Sequence, residues 1–227
     1  MADERTVAFP AGKLLAELAV ELEDVEARIR NHRFIELISA GSIPKERLAA
    51  LAGEQYNVLA SDSRSFQRLA ERFPNPPAGD FFESMSGGEG IAAGHLLNFA
   101  AWTGESEDDL RAFEPTPVAQ SYPAFVAWLA INGSRSDVVL AFLANLAAWG
   151  ENCGRVGAAL RSEYGAGEAE TAFFDFFANP PADFEERALV VLEAGLAAGD
   201  SPSDARRAAR MLQAYELSFW DGMAEGL

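Results

Sequence analysis

The sequence predicts an all-α chain folded as one domain over residues 1–227, and three observations carry that expectation. Apolar residues recur at helical spacing through long stretches, while the strict alternation of a half-buried strand occurs nowhere. Glycines and serine–acid pairs punctuate those stretches as helix ends and starts. With 49% hydrophobic and 23% charged residues the composition is ordinarily globular, and a chain of this length hides about 70% of its unfolded surface in one core.

Nine helices are expected. The first two, 12–40 and 44–74, are long periodic runs parted at Gly41. The third, 80–102, ends at Gly104, and Ser86-Gly87-Gly88-Glu89-Gly90 is expected to break it. The fourth, 106–114, opens on Ser106 with Asp109, a pair in which the serine accepts from a free backbone N–H and the acid favours the positive helix end. The fifth, 118–132, stops at Gly133, and the sixth, 135–163, opens on Ser134 with Asp137 and stops at Gly165. The seventh is 167–178, and the eighth, 182–198, ends at Gly199. The ninth, 202–225, opens on Ser201 with Asp204, and Pro202 takes the first helical position, where its missing N–H costs nothing. Several of these exceed the mean helix of about 11–12 residues, which suits a bundle.

Composition narrows the function classes. The 35 acids against 18 bases give a net charge of -17, a field that repels a phosphate backbone, so no nucleic-acid partner is expected. No run of 18 apolar residues and no basic leader with an apolar stretch is present, so neither membrane spanning nor secretion is expected, and the location is read as cytoplasmic. One cysteine, Cys153, permits no internal disulfide and no cysteine cage for zinc. Two histidines, His32 and His95, leave little for a metal centre, and Lys13 and Lys45 alone make Schiff-base chemistry improbable. No metal and no cofactor are expected.

Polar residues on an apolar stripe are the informative ones, because a helix buries positions three, four and seven apart. The sixth helix has Val139, Phe142, Leu146, Trp149, Cys153, Val156 and Leu160 on its stripe, which points Trp149 and Cys153 inward. The second has Leu48, Leu51, Gln55, Val58, Asp62 and Leu69, with Gln55 and Asp62 where apolar residues belong. Tyr122 lies between Val118 and Phe125, His95 between Ile91 and Trp102, and Glu216 among Leu212, Tyr215, Phe219 and Met223. A buried carboxylate is costly unless paired or hydrogen-bonded. Glu216 and Asp62 are therefore candidate functional groups, with a structural ion pair as the alternative for each.

Three segments resemble the TenA/thiaminase II family of the heme-oxygenase-like superfamily. They are His32-Arg33-Phe34 with Gly41, Ile43-Pro44, Glu46-Arg47-Leu48 and Glu54-Gln55-Tyr56; Ser121-Tyr122-Pro123-Ala124-Phe125 leading to Trp149-Gly150-Glu151-Asn152-Cys153-Gly154-Arg155-Val156-Gly157; and Tyr215-Glu216-Leu217-Ser218-Phe219-Trp220-Asp221. The resemblance implies a heme-oxygenase-like helical bundle and an aminopyrimidine pocket. It implies that the family's closing glutamate falls on Glu216 and a pocket tyrosine on Tyr122. The family's aspartate falls on Gln55, a tyrosine on Val58, the cysteine nucleophile on Trp149, a tyrosine one turn later on Cys153, and another tyrosine near Phe177. A one-turn shift would restore Cys153 as nucleophile. The superfamily's di-iron oxidases, heme oxygenases and cofactor-free quinone-forming oxidases need histidine sets that this chain lacks, although Glu89, His95 and Glu54 imitate part of a metal set.

The resemblance thus implies a small heterocycle of the aminopyrimidine or thiamin-fragment class. Glu216 is expected as acid/base and Cys153 as the second catalytic candidate, with Gln55, Tyr56, Asp62, Tyr122, Trp149, Phe177 and Trp220 as ligand-binding residues. A homodimer or homotetramer is expected. The alternatives are a non-catalytic metabolite-sensing or partner-binding homologue and an atypical metal-dependent oxidase.

Overall fold

Capping chemistry sets most helix boundaries in the computed structural model, which describes residues 10–227. The described helices are α1 (Pro10–Arg30), α2 (Arg33–Ser39), α3 (Lys45–Arg72), α4 (Ala78–Thr103), α5 (Glu107–Ala112), α6 (Pro117–Asn132), α7 (Arg135–Tyr164), α8 (Glu168–Ala178), α9 (Phe184–Ala197) and α10 (Pro202–Ala224), and no strand occurs among the described residues. Ser106 and Ser134 each accept from the backbone N–H three residues on, while Asp109 and Asp137 reach back to the serine N–H. Ser201 accepts from the Asp204 N–H in the same way. Gly165 closes α7 in the left-handed conformation, at φ 71°, where a side chain would be strained. Gly133 closes α6 differently, with an extended backbone at φ -75°.

Two expectations are corrected. The single helix over 12–40 is two helices, because the chain turns at Asn31 and His32. His32 is extended there, its Nδ1 accepts from the Phe34 N–H at 3.2 Å, and its Nε2 meets Asp221 Oδ1 at 3.1 Å. Orphan carbonyls at the end of α1 are taken up by α7, since Asn152 Nδ2 donates to Ile29 O at 3.0 Å and Arg155 donates to Arg30 O. The second correction concerns Ser86–Gly90, which is continuous helix inside α4. Glycine weakens a helix interior without forbidding it, and flanking packing through Phe81, Phe82, Leu96 and Phe99, all buried, holds the helix together.

α3 packs along α4 and α6, while α7 packs against α2, α8, α9 and α10. Two apolar clusters form the interior. One gathers Phe34, Leu48, Phe99, Trp149, Phe173 and Trp220; the other gathers Leu14, Phe66, Phe82, Phe142, Val191 and Leu212. Leu146 of α7 packs against both. A cavity lies where α7 passes from one cluster to the other.

Candidate active site

The cavity has walls from α3, α4, α6, α7, α8 and α10, with about 500 Å³ of space between the lining atoms when its open side is included. α3 contributes Gln55, Val58, Leu59 and Asp62, and α7 contributes Phe142, Asn145, Leu146 and Trp149. Each set repeats every three to four residues, the spacing that lines one helix face. Glu89, Tyr122, Phe177, Glu216 and Phe219 complete the wall.

Glu216 sits at the centre of a hydrogen-bond network. Asn145 Nδ2 donates to Glu216 Oε2, and Trp220 Nε1 donates to Glu216 Oε1 at 3.3 Å. The Tyr122 hydroxyl donates to Asn145 Oδ1 at 3.0 Å, and Gln213 Nε2 donates to the Ala144 carbonyl at 3.1 Å beside it. Burial pushes the Glu216 carboxyl up to about 8, against the lowering effect of its two donors. A carboxyl so raised can give or take a proton near neutral pH.

A second acidic group faces the same space. Asp62 is buried, its pKa is also pushed up to about 8 by burial, and its Oδ1 has no hydrogen-bond partner among the described residues. Glu89 faces Asp62 from α4, and burial together with the Asp62 charge raises its carboxyl as well. The Tyr122 phenol is raised by burial first, then by the fields of Asp62, Glu216 and Glu89. No lysine, arginine or histidine is among the lining residues.

Aromatic side chains form the flat walls. Trp149 stacks on Trp220 with centroids 5.5 Å apart and meets Phe177 edge-on at 5.8 Å, arrangements favoured by ring quadrupoles. Gly150 permits Phe177 to come this close, because a Cβ there would lie 2.9 Å from the Phe177 carbonyl oxygen.

Of the residues singled out in the sequence, Gln55, Asp62, Tyr122, Trp149, Phe177 and Glu216 come together in the cavity wall. Trp220 stands behind Trp149 and touches the site through its bond to Glu216. Tyr56 is not brought there; it packs at the edge of the first cluster, near Arg111 of α5. Cys153 is not brought there either. Its thiol is buried one turn beyond Trp149, outside the lining, and burial followed by the Glu216 and Asp175 charges pushes its pKa well up. The one-turn shift that would restore a nucleophile is thus not met, since α7 keeps Trp149 on the cavity. His95 is half-buried beside Phe176 rather than on a buried stripe, and Ile91, expected on that stripe, is 56% exposed. The buried positions are one residue on, at Ala92, Leu96 and Phe99. Glu54 accepts from the Thr116 N–H at 2.8 Å and ties α3 to the start of α6.

Two lining residues have a place in the wall that the sequence analysis did not give them: Asn145 was not singled out, and Glu89 was named only as part of an imitated metal set. Asn145 lies three residues after Phe142 and four before Trp149, so it is a polar residue on the α7 stripe. Glu89 lies seven residues after Phe82 and seven before Leu96, on the buried side of α4, and becomes visible once α4 is continuous. Among the described residues no group of three or more histidine, cysteine, aspartate or glutamate side chains is arranged to hold a metal ion. No described helix is long and apolar enough to cross a membrane.

Comparison with known proteins adds family and fold. A family model described as the TENA/THI-4/PQQC family matches residues 20–226. No curated protein sequence matches. Among solved structures, the chain is similar to a TenA homologue from P. horikoshii at 16% identity, TM-score 0.77, covering 94% of this chain and 99% of that one. It is similar to a TenA family transcription regulator from Silicibacter sp. at 17% identity, TM-score 0.73, covering 96% and 99%. A heme oxygenase-1 from Synechocystis sp., solved in complex with heme, aligns at 14% identity, TM-score 0.66, covering 93% and 92%. These likenesses establish a heme oxygenase-like all-α fold.

Proposed function

The chain belongs to the TENA/THI-4/PQQC family, and from that premise we propose that its central cavity binds a small nitrogen heterocycle of the aminopyrimidine or thiamin-fragment class, with Glu216 as polar anchor and acid/base. The observation that carries this reading is the Glu216 carboxyl itself, buried, held by Asn145 and Trp220, and raised to about 8. Such a carboxyl gives its proton to a basic ring nitrogen and then pairs with the cation it has made. Trp149 and Phe177 wall the ring, and Gln55, Tyr122 and Asp62 meet its polar edge.

Hydrolysis of a C–N bond at this site uses water as nucleophile. Water attacks the carbon that carries the ring, and the C–O bond forms as the C–N bond breaks. Glu216 gives its proton to the departing amine, and the Glu216 carboxylate then takes up the proton that the attacking water gives up. The buried Cys153 thiol takes no part, because it lies outside the lining and its anion is strongly disfavoured. The second reading is a metabolite-sensing binder without turnover, favoured by the lack of a thiol among the lining residues. Among the described residues no group of three or more histidine, cysteine or acidic side chains favours the metal-dependent oxidase alternative. The reading also includes a homodimer or homotetramer.

Thermal unfolding against pyrimidines and thiamin fragments tests the proposal. A ligand at about 100 times its Kd adds about 2.7 kcal/mol to stability, and Glu216→Gln should abolish that increment and any amine release. Unchanged binding in Glu216→Gln would remove the assignment. Binding without amine release would leave the sensing reading in place.

A further inference from the structure

Beside the cavity a second hollow opens to the surface between α4, the end of α8 and the start of α9. It encloses about 760 Å³ including its mouth, and it shares Glu89, Phe142, Leu146 and Phe177 with the inner cavity. A single layer of side chains therefore has one face on each space. The outer walls are mostly apolar and aromatic, with Met85, Phe176 and Phe184 around the hollow and Pro180 and Pro181 at its rim, while Arg187 donates to the Ser84 hydroxyl at 3.4 Å on one side.

Gly88 lies on the hollow's wall in mid-helix, and a Cβ built there would meet only the tip of the Phe176 ring, at an ordinary 3.8 Å. Alanine fits that position and is the better helix former. Glycine there leaves the hollow open where any longer side chain would fill it.

We propose that this hollow is a second binding subsite, taking a flat apolar or aromatic substituent carried by the heterocycle in the inner cavity. The inference rests on the reading of that cavity given above. The ring occupies the polar space before Glu216, and its substituent reaches the aromatic hollow by turning aside the Glu89 and Phe177 side chains that part the two spaces. Burying an uncharged ring among phenylalanines strengthens binding, whereas a merely aqueous passage would gain nothing from apolar walls. The ligand class is accordingly a two-part molecule, with a basic nitrogen heterocycle at one end and an uncharged apolar group at the other.

The test compares 4-aminopyrimidine with 5-benzyl-4-aminopyrimidine by titration calorimetry, on the wild-type chain and on Gly88→Leu. Leucine enters the outer hollow, improves helix propensity and replaces no residue of the inner wall. The expected result is at least about tenfold tighter binding of the benzyl compound to wild type, lost in Gly88→Leu, with 4-aminopyrimidine bound equally by both. Equal affinity for the two compounds in wild type overturns the subsite while the cavity reading stands. A benzyl gain that survives Gly88→Leu overturns it too. Binding of neither compound overturns the cavity reading, and this inference with it.

Discussion

At the scale of single residues the site is defined by carboxyls that stay protonated. Glu216 and Asp62 titrate at about 8 in the folded chain, against ordinary values of 4.5 and 3.8. Between those limits the native state keeps protons that the unfolded state has released. Linkage then makes stability fall as pH rises, by up to about 1.4 kcal/mol per pH unit for each group. This contribution is complete below the unfolded values and gone above the folded ones. Glu216→Gln removes one such group, so its stability should fall less steeply than wild type between pH 5 and 8. Urea unfolding across that range reads the slope directly, and identical slopes would show that Glu216 is ionised throughout. Cys153 supplies the contrasting case. Cys153→Ala should leave ligand affinity and any amine release within about twofold of wild type, measured under the conditions used for Glu216→Gln. A tenfold loss would bring the thiol back into the site.

At the scale of elements, α4 and α7 use glycine in opposite ways. Gly87, Gly90 and Gly94 are exposed on α4 and a Cβ at each would meet nothing within 4 Å, so alanine at each should stabilise the chain by about 0.5–1 kcal/mol. At Gly150 on α7 the same change presses on the Phe177 backbone and should cost about 1–3 kcal/mol, with loss of ligand binding as Phe177 is displaced. Denaturant midpoints for the four alanine variants check both signs. The capped starts at Ser106, Ser134 and Ser201 were legible in sequence because each cap acts within three residues. The break at His32 was not, since one of its partners is Asp221, 189 residues away. Continuity through Ser86–Gly90 was hidden for the converse reason, as long-range packing overrides poor local propensity. The same distinction runs through the site. Glu216, Tyr122, Asp62 and Gln55 were readable as polar residues on apolar stripes, and Asn145 obeys that rule on α7. Trp149 and Cys153 share one stripe one turn apart, and which of them meets the cavity is set by the packing of α7 against α8 and α10, which lies outside the local sequence pattern.

At the scale of the whole molecule the net charge of -17 governs how copies meet. Two such chains repel at low salt, and an interface that brought carboxylates together would add to that cost. α6 offers a surface free of this penalty, because its 16 residues include no charged side chain. Trp128 and Ile131 are 55% and 65% exposed on it, with Val118 also exposed, and Met211 is exposed on neighbouring α10. Phe125 stacks on Trp128 at 5.9 Å and packs on Tyr215 at 5.2 Å, which holds the exposed indole in a fixed place. A self-association that buries this face is apolar at its centre and opposed only by long-range repulsion between the chains. Added salt shortens the reach of that repulsion to about 8–10 Å near physiological strength. Sedimentation should accordingly show tighter assembly at 200 mM than at 10 mM salt, and Trp128→Glu should sediment as a monomer at both. Wild-type mass for Trp128→Glu would move the interface elsewhere on the bundle, and assembly weakened by salt would mean that the contacting surfaces carry opposite charges.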